Sequence, residues 1–154
     1  MEESLKHKDL KDCVTERFGE AKTRLNEYSP LTLAFIGDAV YSLVIRTIIV
    51  DKGNVPVNRL HKETTSLVQA SAQAAAADAI LPELTGEEEA VYRRGRNAKS
   101  GSSAKNASIQ DYRKATGMEA LTGYLYLKGD MERIALLLKL GMERTGQIPC
   151  AQVE

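Results

Sequence analysis

Apolar residues recur at three- and four-residue spacing along almost the whole chain, and the alternating β-branched runs that mark strands are missing. The pattern predicts an all-α fold. A charged, weakly amphipathic helix is expected from about Glu3 to Asn26. Ser29 and Pro30 then open a long apolar helix that Gly53 closes, because Ser offers a capping oxygen and Pro is tolerated in a first turn. The next pattern runs as one helix from near Asn58 through an Ala-rich stretch to Pro82. Thr85-Gly86-Glu87-Glu88 reads as a capping box, in which the Thr hydroxyl and a Glu carboxylate satisfy two free amides at a helix start. That helix has an acidic first turn and a basic last turn, Arg93, Arg94 and Arg96, both suited to the helix dipole. Asn97 to Ala107 is a polar loop. Ser108 with Asp111 is a second capping box, opening a helix to Leu127, and Met131 to Met142 forms a short final helix. The layout is a helical extension over 1–29, one globular domain over 30–145 and a loose tail over 146–154, with no internal repeat.

The stretch Leu31 to Val50 imitates a membrane span, since its twenty residues carry only Asp38 and Arg46 as charges. Each charge would cost about 2.5–3.5 kcal/mol at a bilayer centre, so the central helix of a globular bundle is the better reading. The N-terminus, MEESLKHKDLKD, has no apolar run for a signal peptide and is too acidic for a transit sequence, which predicts a cytoplasmic protein without a membrane partner. With two Cys far apart and two His, the zinc spacings cannot be written onto the chain. Any metal must therefore sit on carboxylates, which favours a hard cation such as magnesium or manganese. The 21 basic and 21 acidic residues cancel, so an interaction with nucleic acid has to be sought in how charge is distributed.

Two acids stand out against their surroundings. Asp38 sits midway along the most apolar helix, with Ala34 one turn before it and Ser42 and Arg46 one and two turns after, a narrow small-and-polar stripe. A carboxylate buried there should be paired, and a buried Asp–Arg or Asp–Lys pair is the plain alternative to a functional role. Glu119 stands among Ala115, Thr116, Thr122 and Gly123, a clearing that lets another backbone, a cation or a ligand approach; tight helix packing is the plain alternative. If the two helices pack side by side, both carboxylates face one hydrated divalent ion. Charge is also concentrated between Tyr92 and Lys114, where Arg93, Arg94, Arg96, Lys99, Lys105, Arg113 and Lys114 face the single acid Asp111. With Asn97, Ser100 and the glycines between them, such residues can track phosphates, although most basic runs are merely solvated. His61 is a weak general-base candidate, and no GxSxG nucleophile motif is present.

AFIGDAVY, followed some eighty residues later by GMEALTGYLYL, resembles the paired signature helices of ribonuclease III endonuclease domains. TSLVQASAQAAAA sits where that family has its intervening helix, and EEEAVYRRGRNAKSG with YRKATGMEAL is similar to the Mini-ribonuclease III subfamily. The match spans roughly Leu31 to Leu140, and RGRNAKSG is its most specific string. The resemblance implies a homodimeric helical bundle without a double-stranded-RNA-binding domain, acting with magnesium on the ends of 23S ribosomal RNA precursors. It implies Asp38 and Glu119 as catalytic and metal-holding acids; beside it, the basic run is expected to grip the phosphates of an RNA helix by shape, with Arg93, Arg94, Arg96, Asn97, Lys99, Ser100 and Lys105 as the RNA-binding residues. Ala34 and Thr116 occupy the positions where the full-length family has two further acids, so one ion or two remain compatible with the site. A ribosomal protein is an expected helper. Two functions follow: a metal-dependent endonuclease on double-stranded RNA or, because two acids are replaced, a non-catalytic RNA-binding or ribosome-assembly factor that kept the fold.

Overall fold

The computed structural model describes residues 7–99 and 108–150. Among these, all regular structure is helical: α1 (Leu10–Phe18), α2 (Pro30–Asp51), α3 (Val57–Val68), α4 (Ala70–Ile80), α5 (Gly86–Asn97), α6 (Ile109–Lys128) and α7 (Met131–Arg144), with single 3-10 turns at Leu25–Glu27 and Leu81–Glu83. The all-α expectation is met. α2 and α6 form the central pair; α4 and α5 pack on α6, α3 packs on α2, and α7 closes over α4. The core lies between them, where Tyr41, Ile45 and Ile49 of α2 meet Met118, Leu121 and Leu125 of α6 and Ile134, Leu137, Leu138 and Met142 of α7.

Helix starts follow the caps written in the sequence. Ser29 accepts from the Thr32 amide, and both halves of the Thr85–Glu88 box form. Of the box expected at Ser108, one half is found, the hydroxyl accepting from the Asp111 amide at 3.0 Å. Glu88 has a second task, taking two bonds from the Arg133 guanidinium, at 2.8 and 2.9 Å, which tie α5 to α7. That guanidinium holds the Glu88 carboxyl below the usual carboxylate range.

Several boundaries differ from expectation. The first helix stops at Phe18, where Gly19 adopts φ 105°, so the helix expected through Asn26 ends early. The helix expected from Asn58 to Pro82 is two helices broken at Gln69, whose backbone is extended. The Gln73 side chain donates to the Val68 carbonyl at 2.8 Å and so satisfies an acceptor near the break. The segment after Gly146 is anchored at its start: Ile148 packs on the core, and the Gln147 side-chain amide donates to the Ala72 carbonyl at 2.9 Å.

α2 is long and apolar enough to cross a membrane by length and composition. In the fold, Leu33, Ala34, Gly37, Val40, Tyr41, Ile45 and Ile49 are buried against the other helices. Leu31, Phe35, Leu43 and Val50 remain on an uncovered strip. The close approach of α2 and α6 is made by glycine. A Cβ on Gly37 would fall on the Glu119 carbonyl and 2.8 Å from the Gly123 amide; one on Gly123 would fall on the Leu33 carbonyl and 3.0 Å from the Gly37 amide. Leu33 lying beside Gly123 and Gly37 beside Glu119 also shows that the helices run in opposite directions.

Gly37→Ala is therefore expected to destabilise the protein by several kcal/mol, since backbone atoms cannot yield as a side chain can. Gly86→Ala, at a helix start with nothing near its Cβ, is expected to leave stability unchanged or slightly raised. Urea unfolding of both variants checks the contrast.

Candidate functional site

The glycine crossing positions the two acids. Asp38 follows Gly37 directly, and Glu119 is the residue whose carbonyl Gly37 touches. Both line one open concavity of about 410 Å³, together with Leu31, Ala34, Phe35, Ile36, Ala39, Tyr112 and Thr116. The structure thus brings together the two carboxylates that the sequence placed eighty-one positions apart.

Their environments differ. Asp38 lies on the uncovered strip of α2 and is exposed, so the expected burial of this residue, and with it the buried Asp–Arg pair, is not found. Arg46 instead donates to the Ser42 hydroxyl at 3.2 Å. Glu119 is half-buried, and burial, followed by the Asp38 charge, pushes its carboxyl up to about 8. Among the described residues, no hydrogen bond or ion pair engages either carboxylate. Two facing acids without a counter-charge, all oxygen donors, fit a hard divalent cation that would draw Glu119 into its ionised form. No group of three or more His, Cys, Asp or Glu gathers among the described residues, so two acids are what those residues offer here. Ala34 and Thr116 line the same concavity, and the Thr116 hydroxyl donates to the Tyr112 carbonyl at 3.0 Å.

Tyr41 is a neighbour that the sequence reading passed over. It is 1% exposed, its hydroxyl has no partner among the described residues, and burial followed by the Glu119 charge pushes the phenol upward. A phenol three positions after Asp38 in an apolar helix was the available signal, but hydrophobic patterning counts Tyr as core.

The last turn of α5 meets α6 through a second close contact. A Cβ on Gly95 would lie 2.7 Å from the Ala120 methyl and 3.2 Å from the Thr116 carbonyl; one on Gly117 would lie 2.8 Å from the Tyr92 carbonyl. The backbone of α5 at Gly95 thus meets the turn of α6 that precedes Glu119, whereas the Arg94 side chain lines a separate cavity with Leu25, Leu33, Glu87 and Tyr124, and no residue of α5 lines the concavity of the two acids. Arg93 pairs with Glu89 at 3.0 Å, Arg94 reaches the Tyr28 carbonyl at 3.5 Å, and Arg96 contacts Asn97 at 3.4 Å. Arg93, Arg94, Asn97 and Lys99 are exposed and Arg96 is half-buried. Ser100 and Lys105 lie outside the described residues. His61 is on α3 and lines a separate cavity, apart from the two acids.

The sequence also offers the Gly- and Ala-lined face near Gly123 and the Tyr and Leu of YLYL as contacts for a second copy, and the fold covers them. Gly123 is taken by α2, Leu125 is buried, and Tyr124, Tyr126 and Leu127 are half-buried, because α6 is central and covered from several sides.

The raised Glu119 carboxyl has a consequence for stability in chelator. The folded state holds the proton up to about 8 while the unfolded state releases it near 4.5, so stability is expected to fall as pH rises between those values and to level off above them. Glu119→Gln is expected to remove most of that slope, read from denaturant midpoints across pH.

The Ribonuclease III domain family matches residues 31–130 of the chain. The Mini-ribonuclease 3 of Thermoanaerobacter sp. (strain X514) is 56% identical over 115 residues, 75% of this chain and 81% of that protein. The Mini-ribonuclease 3 of Clostridium tetani is 52% identical over 120 residues, 77% of this chain and 80% of its own. The X-ray crystal structure of protein FN1578 from Fusobacterium nucleatum superimposes with a TM-score of 0.73 at 27% identity, covering 79% of this chain and 99% of that one.

Proposed function

The chain belongs to the ribonuclease III domain family and is an endoribonuclease; from that premise we propose that it cuts double-stranded RNA with magnesium, or manganese as a substitute, to mature the ends of 23S ribosomal RNA precursors. The observation that supports this reading is the meeting of Asp38 and Glu119, uncompensated, on one open concavity beside the basic end of α5. A bound divalent ion supplies Lewis acidity to the phosphate and lowers the pKa of water. Asp38 and Glu119 hold it, Asp38 from the exposed strip and Glu119 from the half-buried side. The small side chains Ala34 and Ala39 leave the concavity open to a backbone. Arg94, Arg96 and Lys99 neutralise neighbouring phosphates, and Asn97 adds hydrogen bonds. Such contacts follow the shape of an A-form duplex, whose deep, narrow major groove admits no side-chain reading. In this reading the enzyme works in the bacterial cytoplasm, and a ribosomal protein on the precursor presents the duplex.

The same reading makes the working unit a homodimer. Phe35 is 82% exposed, and Leu31, Leu43 and Val50 share its strip of α2, so the apolar helix keeps one side for a second copy. A two-fold pair sets two equal acid sites against two antiparallel strands, one cut by each protomer.

Asp38→Asn and Glu119→Gln are each expected to lower cleavage of a long RNA duplex in magnesium about 100-fold or more while circular dichroism is unchanged, because each swap removes a charged ligand at nearly constant volume. Full activity in either variant sinks the site. Duplex binding by the wild type without cleavage would instead support the non-catalytic RNA-binding or assembly factor, for which the two replaced acids speak.

Phe35→Glu is expected to convert the dimer to monomer in sedimentation and to lower double-strand cleavage with it. A wild type that sediments as a monomer where both strands are cut rules the arrangement out.

A further inference from the structure

Tyr41 follows Gly37 by one turn on the buried face of α2 and Asp38 by three positions, so it stands on the edge of the α2–α6 contact that carries the aspartate. Its place is at the crossing. Helical side chains lean toward the N-terminus of their own helix, and these two helices run in opposite directions, so the Tyr41 ring leans back toward the turn of Gly37. Glu119 leans the other way, toward the turn of Tyr41, consistent with its share in one concavity with Thr116 and Ala39. The two side chains converge. The ring belongs to the core cluster that also holds Met118 and Leu121 of α6, and the hydroxyl is buried with no hydrogen-bond partner among the described residues. After burial, the Glu119 charge is the other influence that pushes this phenol upward. An unpaired buried hydroxyl costs about 1–3 kcal/mol, and a phenylalanine would fill the same space without that cost. The oxygen needs another reason to be there.

We propose that Tyr41 is a positioning residue: its hydroxyl donates to the inner oxygen of the Glu119 carboxylate when that acid holds a divalent ion, which leaves the outer oxygen for the ion. The proposal rests on the reading of Asp38 and Glu119 given above and adds a support beneath it. Glu119 meets the concavity from the half-buried side, with Met118, Ala120 and Leu121 of its own helix buried around it, so its inner oxygen is the one that water reaches least. A donor there does two things. It satisfies an oxygen turned away from the ion, and it holds the carboxyl in one orientation, so that less freedom is lost when the ion binds. Asp38 is exposed and has water for the same purpose. Carboxylates that hold metals are themselves held by such outer hydrogen bonds, whose loss lowers metal affinity about 10- to 100-fold.

The test is binding of manganese alone to the metal-free protein, followed by electron paramagnetic resonance of the free ion, so that neither RNA nor cleavage enters. Tyr41→Phe keeps the ring and removes one oxygen. It is expected to bind manganese about 10-fold more weakly than the wild type and, in chelator, to unfold at an equal or higher urea midpoint, because an unpaired buried hydroxyl is gone. Tyr92→Phe is the control, since that hydroxyl is also buried without a partner among the described residues, while the charges acting on its phenol are those of Asp78 and Arg96 and of neither site acid. It is expected to keep the wild-type affinity. Duplex cleavage adds a split: Tyr41→Phe should need about 10-fold more manganese for half its maximal rate and approach the wild-type rate at saturation. Equal manganese affinity in Tyr41→Phe and the wild type overturns the contact alone, as does an equal loss in Tyr92→Phe. A urea midpoint well below that of the wild type overturns it too, because the hydroxyl would then already serve the fold. A wild type that binds no manganese overturns the reading of the two acids and this contact with it.

Discussion

The contact between α2 and α6 at Gly37 and Gly123 governs the rest of the molecule. Two helices normally keep 8–10 Å between axes because side chains stand between them. Here each glycine lets its own backbone touch the other helix, so the carbonyls of Leu33 and Glu119 occupy space that a methyl group would need. The approach aligns the turn carrying Asp38 with the turn carrying Glu119. It also frees the rest of α6 to be wrapped by α4 and α5, and it leaves a strip of α2 without a neighbour.

The same device is used a second time. Gly95 and Gly117 bring α5 onto α6 closely enough that the last turn of α5, with its arginines, ends beside Thr116. Close packing therefore does electrostatic work. One crossing creates a pair of acids that no described cation compensates, and the other fixes the basic last turn of α5 against the α6 turn that precedes Glu119. Burial, followed by the Asp38 charge, pushes the Glu119 carboxyl well above the usual carboxylate range. The pair is thus suited to a divalent ion and poorly suited to standing alone.

The outer surfaces carry a second asymmetry. The chain has two phenylalanines, and both are exposed, Phe18 at 86% and Phe35 at 82%. Leu10, Val14 and Phe18 make an apolar stripe on α1, and Leu31, Phe35, Leu43 and Val50 make one on α2. The core, by contrast, is built largely from aliphatic side chains, Ala and Met, with Tyr41 and Tyr92 as its aromatics. Large aromatic area is kept at the periphery, where a second chain could cover it, while the interior is filled by smaller groups that let helices approach.

Local chemistry was readable along the chain because it acts over one or two turns. The caps at Ser29, Thr85 and Ser108, the helical class, the oddity of Asp38 and Glu119 in apolar surroundings, and the clearing around Glu119 all follow from spacing and residue type. The break at Gln69 did not, since Gln is an ordinary helix residue and only the packing of α3 on α2 and α4 on α6 requires the bend. Nor did the second role of Glu88, whose partner Arg133 lies forty-five positions away. Asp38 was placed in the interior because its helix is apolar nearly all round, yet which side of such a helix stays open is set by how many neighbours surround it, a property of the assembled bundle. For the same reason YLYL looked available on α6 and is largely covered. The sequence could say that two acids were out of place; that they share one concavity, with one of them half-buried, was decided when Gly37 met Gly123.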